Sequence, residues 1–272
     1  MHSIKKTPSK AVVTLVWFLG LVAAWEIGAF IVGATKRTPE NVLPHIYQII
    51  YSFFDGNPVS SGQTVSQIVF TSGLQTITRA IEGFLIGMAL GFGLALVMKL
   101  SHIVEKVAFP YLMIIQMIPI LGLAPIILSL THDIDVSRIV IAAILTFYPV
   151  ATNTLAGFKA VEKEKYDLMH ICAANKLQLY TKTLIPACKP YFFTGLKVAA
   201  PMAITASILV DTLQGDGGLG CMLSQSLKHA MSIYVFWDIV VFSAAIGIFS
   251  FYLMGIIENI LSPNKRAAGK KR

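Results

Sequence analysis

Long apolar segments alternate with short polar segments along most of the chain. A helix that crosses a hydrocarbon core about 30 Å thick needs about 20 mostly apolar residues. The pattern therefore predicts an all-α integral membrane protein with about six transmembrane helices. The predicted spans are 11–34, 74–98, 107–130, 136–158, 191–213 and 234–261.

The composition agrees with this prediction, because 55% of the residues are hydrophobic and only 13% are charged. An average soluble chain carries about 25% charged residues. The first span follows Lys5, Lys6 and Lys10, as the apolar region of a secretory signal does. Its apolar run is longer than such a region and no small-residue cleavage site follows it, so we expect a retained anchor.

The distribution of basic residues predicts the orientation of the spans. If the amino terminus is cytoplasmic, sixteen of the 22 Lys and Arg residues lie in inner segments and four in outer segments. Cytoplasmic loops carry such an excess of Lys and Arg. We therefore expect both termini in the cytoplasm. The net charge of +8 needs no nucleic acid partner, since anionic lipid accounts for the basic tail.

The outer segment 35–72 is too polar to cross a membrane. Within it, Pro44 precedes an aromatic-rich amphipathic segment, 45–54, which we expect to lie along the outer interface as a structural collar. The predicted organisation is an anchor and outer segment at 1–73, a transmembrane core at 74–262 and a basic cytoplasmic tail at 263–272.

Catalytic motifs are absent from the sequence. There is no Gly-x4-Gly-Lys-Ser/Thr loop to hold phosphates, and no pair of histidines at metal-binding spacing. No Gly-x-Ser-x-Gly or Ser-x2-Lys motif supports a nucleophile. We therefore expect a non-catalytic chain that binds no metal and no cofactor. Its three cysteines predict no disulfide framework.

Glycine spacing in the second span predicts close helix packing. Gly83, Gly87 and Gly91 recur every four residues and line one helix face, where another backbone can approach. On the same helix, Arg79 and Glu82 are one turn apart and are expected to neutralise each other.

Two further charges lie within predicted spans. Glu26 is the deepest, and a structural hydrogen bond is its preferred interpretation. Lys197 lies within two turns of the cytoplasmic end, from which its amine is expected to extend towards water.

The basic cytoplasmic segment 159–190 has the pattern of two short helices. Apolar residues recur at helical spacing over 167–174 and again over 176–184, and Asn175 between them is a natural cap. Two interpretations remain open at this point. In the first, the helix pair lies on the inner leaflet; in the second, it docks another protein.

Several blocks of the sequence resemble a known family of permeases. They are QMIPILGLAPIIL at 116–128, FYPVATNTLAGF at 147–158, Pro186, GLK at 195–197 and GLG at 218–220. With these blocks the chain resembles the inner-membrane permease of a bacterial binding-protein-dependent ABC importer, and it is most similar to the nitrate, sulfonate and taurine branch. The resemblance implies the type I importer permease fold.

The resemblance also implies a coupling helix that contacts an ATPase subunit. The family signature Glu-Ala-Ala-x3-Gly-x9-Ile-x-Leu-Pro falls on residues 167–186, where only the proline is identical. Leu168, Met169 and Thr183 depart from it, whereas Asp167 keeps a carboxylate. The implied contact residues are Asp167, Leu168, Ile171, Ala173, Ala174, Asn175 and Pro186.

Family permeases work as a pair, so the resemblance implies a homodimer, a dimer of ATPase subunits that use ATP and Mg, and an extracytoplasmic solute-binding protein. The family forms its cavity with the third, fourth and fifth spans, which implies pathway roles for Pro119, Pro125, Ser207 and Asp211. Both prolines interrupt helical hydrogen bonding, but kinks that serve packing alone are equally consistent.

The main alternative is a secondary transporter or channel driven by an ion gradient. Such proteins show inverted repeats and acidic residues near the midplane, and neither is apparent here. A membrane scaffold without transport activity is a third interpretation. The sequence does not identify the solute, although the few basic residues in the spans favour a neutral or weakly charged solute over a strongly anionic one.

Overall fold

The structure is a computed structural model that describes residues 10–59, 62–213, 217–228 and 233–262. The basic residues before Lys10 and the tail 263–272 contribute to the predicted orientation and lie outside the described residues. The described elements are all helical. They are α1 (Lys10–Thr35), a 3₁₀ turn (Pro39–Asn41), α2 (Ile46–Phe54), α3 (Val65–Leu100), α4 (His102–Met117), α5 (Ile120–Thr131), α6 (Ile134–Lys159), α7 (Lys163–Ile171), α8 (Lys176–Leu179), a π-helix (Tyr180–Leu184), α9 (Ile185–Leu213), α10 (Leu219–Leu227) and α11 (Ile233–Leu261).

Five described helical segments are long and apolar enough to cross a membrane. They contain α1, α3, α6, α9 and α11. The predicted third span is present as α4 and α5, which bend by 106° at a short break, so the count is six if this pair forms one broken span. The apolar pattern thus located the spans, and Pro119 at the start of α5 accounts for the break.

The contacts divide the chain into two compact units. One comprises Met1–Val69 with Gln225–Val240, and the other comprises Phe70–Ser224 with Val241–Arg272. The division predicted from the sequence, at residues 73 and 262, stays a prediction.

In the larger unit, α3 packs closely against α6 through its glycines. A Cβ built on Gly87 stands 2.5 Å from the carbonyl oxygen of Ala143, and one on Gly83 stands 2.5 Å from the Cβ of Ala142. Both distances are shorter than non-bonded atoms tolerate. Only glycine therefore permits this approach, which follows the small-residue packing of membrane helices.

In the same unit, Lys197 forms an ion pair instead of extending alone towards the cytoplasm. Its Nζ donates to Oε2 of Glu258 on α11 over 2.6 Å, and both side chains are largely buried. The Lys197 amine is therefore neutralised within the chain.

In the smaller unit, Glu26 fixes the amphipathic helix α2. Its carboxylate lies 2.6 Å from Nδ1 of His45 and accepts a 2.8 Å hydrogen bond from the backbone N–H of Ile46. The adjacent Trp25 donates from Nε1 to the carbonyl of Pro44 over 3.0 Å. The carboxylate thus satisfies an orphan donor at the amino terminus of α2, where negative charge is favoured.

Candidate coupling and translocation sites

The segment between α6 and α9 forms the predicted pair of short helices. The first, α7, spans Lys163–Ile171, and the second begins at Lys176. Asn175 caps the second helix, since its side chain accepts from the N–H of Gln178 over 2.8 Å and the Gln178 side chain accepts from the N–H of Asn175 over 3.0 Å. This reciprocal pair is a capping box.

The turn between α7 and α8 depends on Ala173, which has a positive φ of 49°. The N–H of Ala173 donates to the carbonyl of His170 over 2.9 Å, and the N–H of Ala174 donates to that of Met169 over 3.0 Å. These two bonds define a Schellman motif, whose left-handed position is usually glycine. The family signature has glycine at this position, and the geometry explains why.

We therefore expect Ala173→Gly to stabilise the turn. A left-handed residue other than glycine costs about 1–2 kcal/mol, although glycine loses more conformational freedom on folding. The net effect is expected to be a gain of about 1 kcal/mol or less. Slower hydrogen exchange at the N–H of Ala174 is the measurement, with Ala174→Gly as a matched control at an ordinary φ. Faster exchange in Ala173→Gly would contradict the proposed strain.

The two faces of α7 have different surroundings. Tyr166 is half-buried against the core of the larger unit, and Nζ of Lys99 lies 5.5 Å from the centre of its ring. Leu168 and Ile171 are one turn apart on the other face, where they are 59% and 81% exposed. One face of α7 is thus attached to the bundle, while the other presents large apolar side chains.

The remaining predicted coupling residues lie on α7, in the turn that follows it, or on α9. Asp167, Ala173 and Asn175 are exposed, and Ala174 is half-buried. Pro186 is exposed on the first turn of α9, so it is separated from α7 along the chain by α8 and the π-helix. Their contact with an ATPase stays a prediction.

The coupling segment is continuous with the transmembrane bundle. The π-helix passes directly into α9, and its Leu184 is fully buried in the same core that receives Tyr166. At the carboxyl end of α6, Lys159 forms an ion pair with Glu105 in the first turn of α4. A displacement of α7 therefore acts on packed helices and not on a flexible linker.

The first two predicted pathway residues lie on the broken span. Pro119 is the N-cap of α5 and is exposed, and the preceding Ile118 is extended at the end of α4. Pro125 is also exposed, but α5 continues through it, so the helix is interrupted only at Pro119. The break frees backbone groups within a span, which is tolerated where protein or water covers them.

The other two predicted pathway residues are fully buried in the chain. Ser207 and Asp211 lie on α9 with no exposed surface. Oδ1 of Asp211 lies 2.6 Å from Nε of Arg138, which is also fully buried. Thr76 on α3 donates to Oδ2 of Asp211 over 3.0 Å. In this structure Asp211 joins three helices, and its role in the pathway stays a prediction.

Arg79 belongs to the same ion-pair network, so its predicted neutralisation by Glu82 is wrong. Its Nε lies 3.2 Å from Oδ1 of Asp135, and its Nη1 lies 3.8 Å from Oδ1 of Asp211. Asp135 also contacts Nη1 of Arg138 at 2.6 Å. Two arginines and two aspartates from α3, α6 and α9 therefore balance in charge.

A backbone loop closes over this network. The N–H of Gly218 donates to Oε1 of Gln75 over 3.0 Å, and the N–H of Leu219 donates to Oγ1 of Thr76 over 2.9 Å. Gly218 has a positive φ of 85° and leaves no room for a Cβ beside Asp211. The GLG block at 218–220 thus fits the geometry of a tight contact with α3.

Sequence reasoning did not identify the network. It paired Arg79 within its own helix and gave Arg138 no partner. An available signal was that the cations Arg79 and Arg138 and the anion Asp211 lie near the ends of three predicted spans. Charges within spans usually pair with one another.

Comparison with known proteins places the fold and these segments in a family. The family described as "Binding-protein-dependent transport system inner membrane component" matches residues 83–263. The formylaminopyrimidine transport permease protein ThiX of Halalkalibacterium halodurans is 29% identical over 259 residues, which cover 95% of this chain and 98% of that protein. The nitrate import permease protein NrtB of Leptolyngbya laminosa is 22% identical over 263 residues, with coverages of 97% and 92%.

Two further comparisons agree. The putative aliphatic sulfonates transport permease protein SsuC of Bacillus subtilis is 24% identical over 233 residues, covering 84% of this chain and 80% of that protein. Among solved structures, a crystal structure of an amino acid ABC transporter with histidines matches with a TM-score of 0.57 and 18% identity. It covers 73% of this chain and 94% of that chain, and it supports the fold.

The chain belongs to the family of inner-membrane components of binding-protein-dependent transport systems. It is a multi-pass permease subunit of an ABC importer for a small solute, with the type I fold. The subunit itself is not catalytic, and it works with a separate ATPase subunit and a solute-binding protein.

Proposed function

We propose that two copies of this chain form the pathway of the importer and that α7 transmits the ATPase stroke to it. The observation that carries this proposal is the exposed apolar pair Leu168 and Ile171, on a helix whose other face is fixed to the bundle. Large apolar side chains on an exposed helix face favour a protein partner. ATP and Mg bind to the ATPase subunits, and this chain binds no cofactor.

The orientation follows from the positive charges. We infer that both termini and α7 are cytoplasmic and that α2 lies at the outer surface, where the exposed Tyr47, Tyr51 and Phe54 suit the aromatic belt of a bilayer. The ion-pair network of Arg79, Arg138, Asp135 and Asp211, over which the loop at Gly218 closes, then lies on the side that receives the solute-binding protein.

The pathway is proposed to pass the break at Pro119. Exposed Gln116 and Pro119 flank extended backbone, and such backbone needs cover from water or from the second copy. Pro125 lies nearly two turns further along α5. Ser207 and Asp211 contribute from within the bundle, by holding α9 in place.

The proposal is tested by identifying the proteins that purify with the chain. We expect a stoichiometric ATPase to accompany it, and we expect the separated chain to turn over no ATP. An ion-coupled transporter or a scaffold requires no such subunit. ATP turnover that survives removal of all partners, or transport without any ATPase, would contradict the proposed function.

A further inference from the structure

The charges of the spans differ in their partners, and Glu82 differs from the cations. Three cations within the described spans are each paired within the chain. Glu82 is exposed on α3, and no described residue forms a hydrogen bond or ion pair with it. The paired cations are Arg79, Arg138 and Lys197.

Glu82 lies within the apolar part of its span. The adjacent Gly83 packs against Ile139 and Ala142 of α6, one turn further into the bundle than Arg79. The face of α3 that carries Gly83 and Gly87 is buried, whereas Glu82 lies on the other side of the helix. A carboxylate that faces lipid within a span is unfavourable, and charged residues within spans usually face protein or a watery cavity.

Among the cations of the described spans, a second copy of the chain offers none that is free to cover Glu82. The copy carries the same three span cations, and each already contacts a carboxylate of its own chain. A dry interface between copies would leave the Glu82 carboxylate buried without a partner, which is costly. With these span cations already paired, water is the favoured partner of the Glu82 carboxylate.

We propose that Glu82 lines the water-filled pathway of this permease and selects for solutes that are cationic or rich in hydrogen-bond donors, against anions. This inference rests on the proposed function. The pathway then exposes a negative charge, while the three cations of the described spans are each paired with a carboxylate. A carboxylate attracts an ammonium, amidine or amino group and repels a sulfonate or nitrate.

Thiol modification tests the proposal without knowledge of the solute. In a chain with Cys172→Ser, Cys188→Ala and Cys221→Ala, Thr78→Cys places a thiol one turn from Glu82 on the same exposed face. The probes are a trimethylammonium and a sulfonate methanethiosulfonate reagent, applied from outside at low salt to the complex with its ATPase. The lipid-facing control is Ile248→Cys on α11, where Ile248 is 60% exposed.

We expect Thr78→Cys to react and Ile248→Cys to remain unmodified. The cationic reagent is expected to react about fivefold faster than the anionic reagent, from the interaction of two charges several ångströms apart in water. Glu82→Gln should remove this preference, and Glu82→Asp should keep it. The Gln side chain has nearly the same size, so a change in packing does not explain such a result.

Two results would overturn the proposal. Absence of reaction at Thr78→Cys, with and without nucleotide, would show a dry face. Equal rates for the two reagents that Glu82→Gln leaves unchanged would show that Glu82 does not select charge. Retention of the ATPase in the same preparations separates both results from a failure of the proposed function, which is marked by loss of the ATPase.

Discussion

Arg138→Ala is expected to destabilise the folded permease by about 3–5 kcal/mol, because it leaves the buried Asp211 carboxylate without its closest counter-ion. Arg138 lies 2.6 Å from Asp211, and neither residue is exposed. Arg79 remains 3.8 Å away and compensates only in part. The measurement is the temperature at which the detergent-solubilised chain loses its helical signal, together with the yield of monodisperse protein.

Two matched variants separate the buried charge from general damage to packing. Arg79→Ala should cost less, because Arg79 is partly exposed and water solvates the charge that it leaves. The double variant Arg138→Met with Asp211→Leu should recover much of the stability, since replacing both members of a buried pair by apolar residues is often neutral. A wild-type unfolding temperature for Arg138→Ala would contradict the structural role of the pair.

The positions of the spans were predictable because hydrophobicity is a local property of the sequence. The break at Pro119 was equally predictable, since proline lacks the backbone N–H that a helix needs as a hydrogen-bond donor at that position. The start of α9 at Ile185 was not predicted, because the apolar pattern placed the start of this span at residue 191. Proline is tolerated in the first turn of a helix, and here the π-helix already sets the backbone direction.

The charge network was beyond local reasoning. Arg79 and Glu82 are neighbours in sequence, and that proximity suggested a pair. The actual partners, Asp135 and Asp211, come from two other helices, and only the packing of α6 and α9 brings them to Arg79. Tertiary pairing of charges leaves no periodic signal in a single sequence.

The turn of the coupling segment was anticipated in position but not in conformation. Asn175 was recognised as a cap, and the structure confirms its side-chain bond to Gln178. The left-handed backbone of Ala173 was not predicted, because alanine itself gives no sign of a positive φ. This conformation also decides which residue is suited to a test of docking. A bulky residue at Ala173 combines steric obstruction with backbone strain, so Ile171 is the more informative position.

Ile171→Asp is expected to uncouple transport while the membrane helices remain folded. Ile171 is 81% exposed and touches no core of the chain, so its replacement should leave yield and oligomeric state near wild type. In a docked complex the new carboxylate is buried without a partner, at a cost of about 1–3 kcal/mol. Affinity for the ATPase should then fall by about five- to 150-fold, and uptake should fall with it.

The controls follow from the alternative that α7 rests on the inner leaflet. Ile171→Leu keeps the apolar contact and should retain the ATPase. A carboxylate at residue 171 that faces lipid headgroups can turn towards water, so the lipid-surface alternative predicts no loss of ATPase from Ile171→Asp. The measurement is the ratio of ATPase to permease after purification, with uptake measured in the same cells. Wild-type values of both in Ile171→Asp would assign α7 to the membrane surface and remove it from the coupling path.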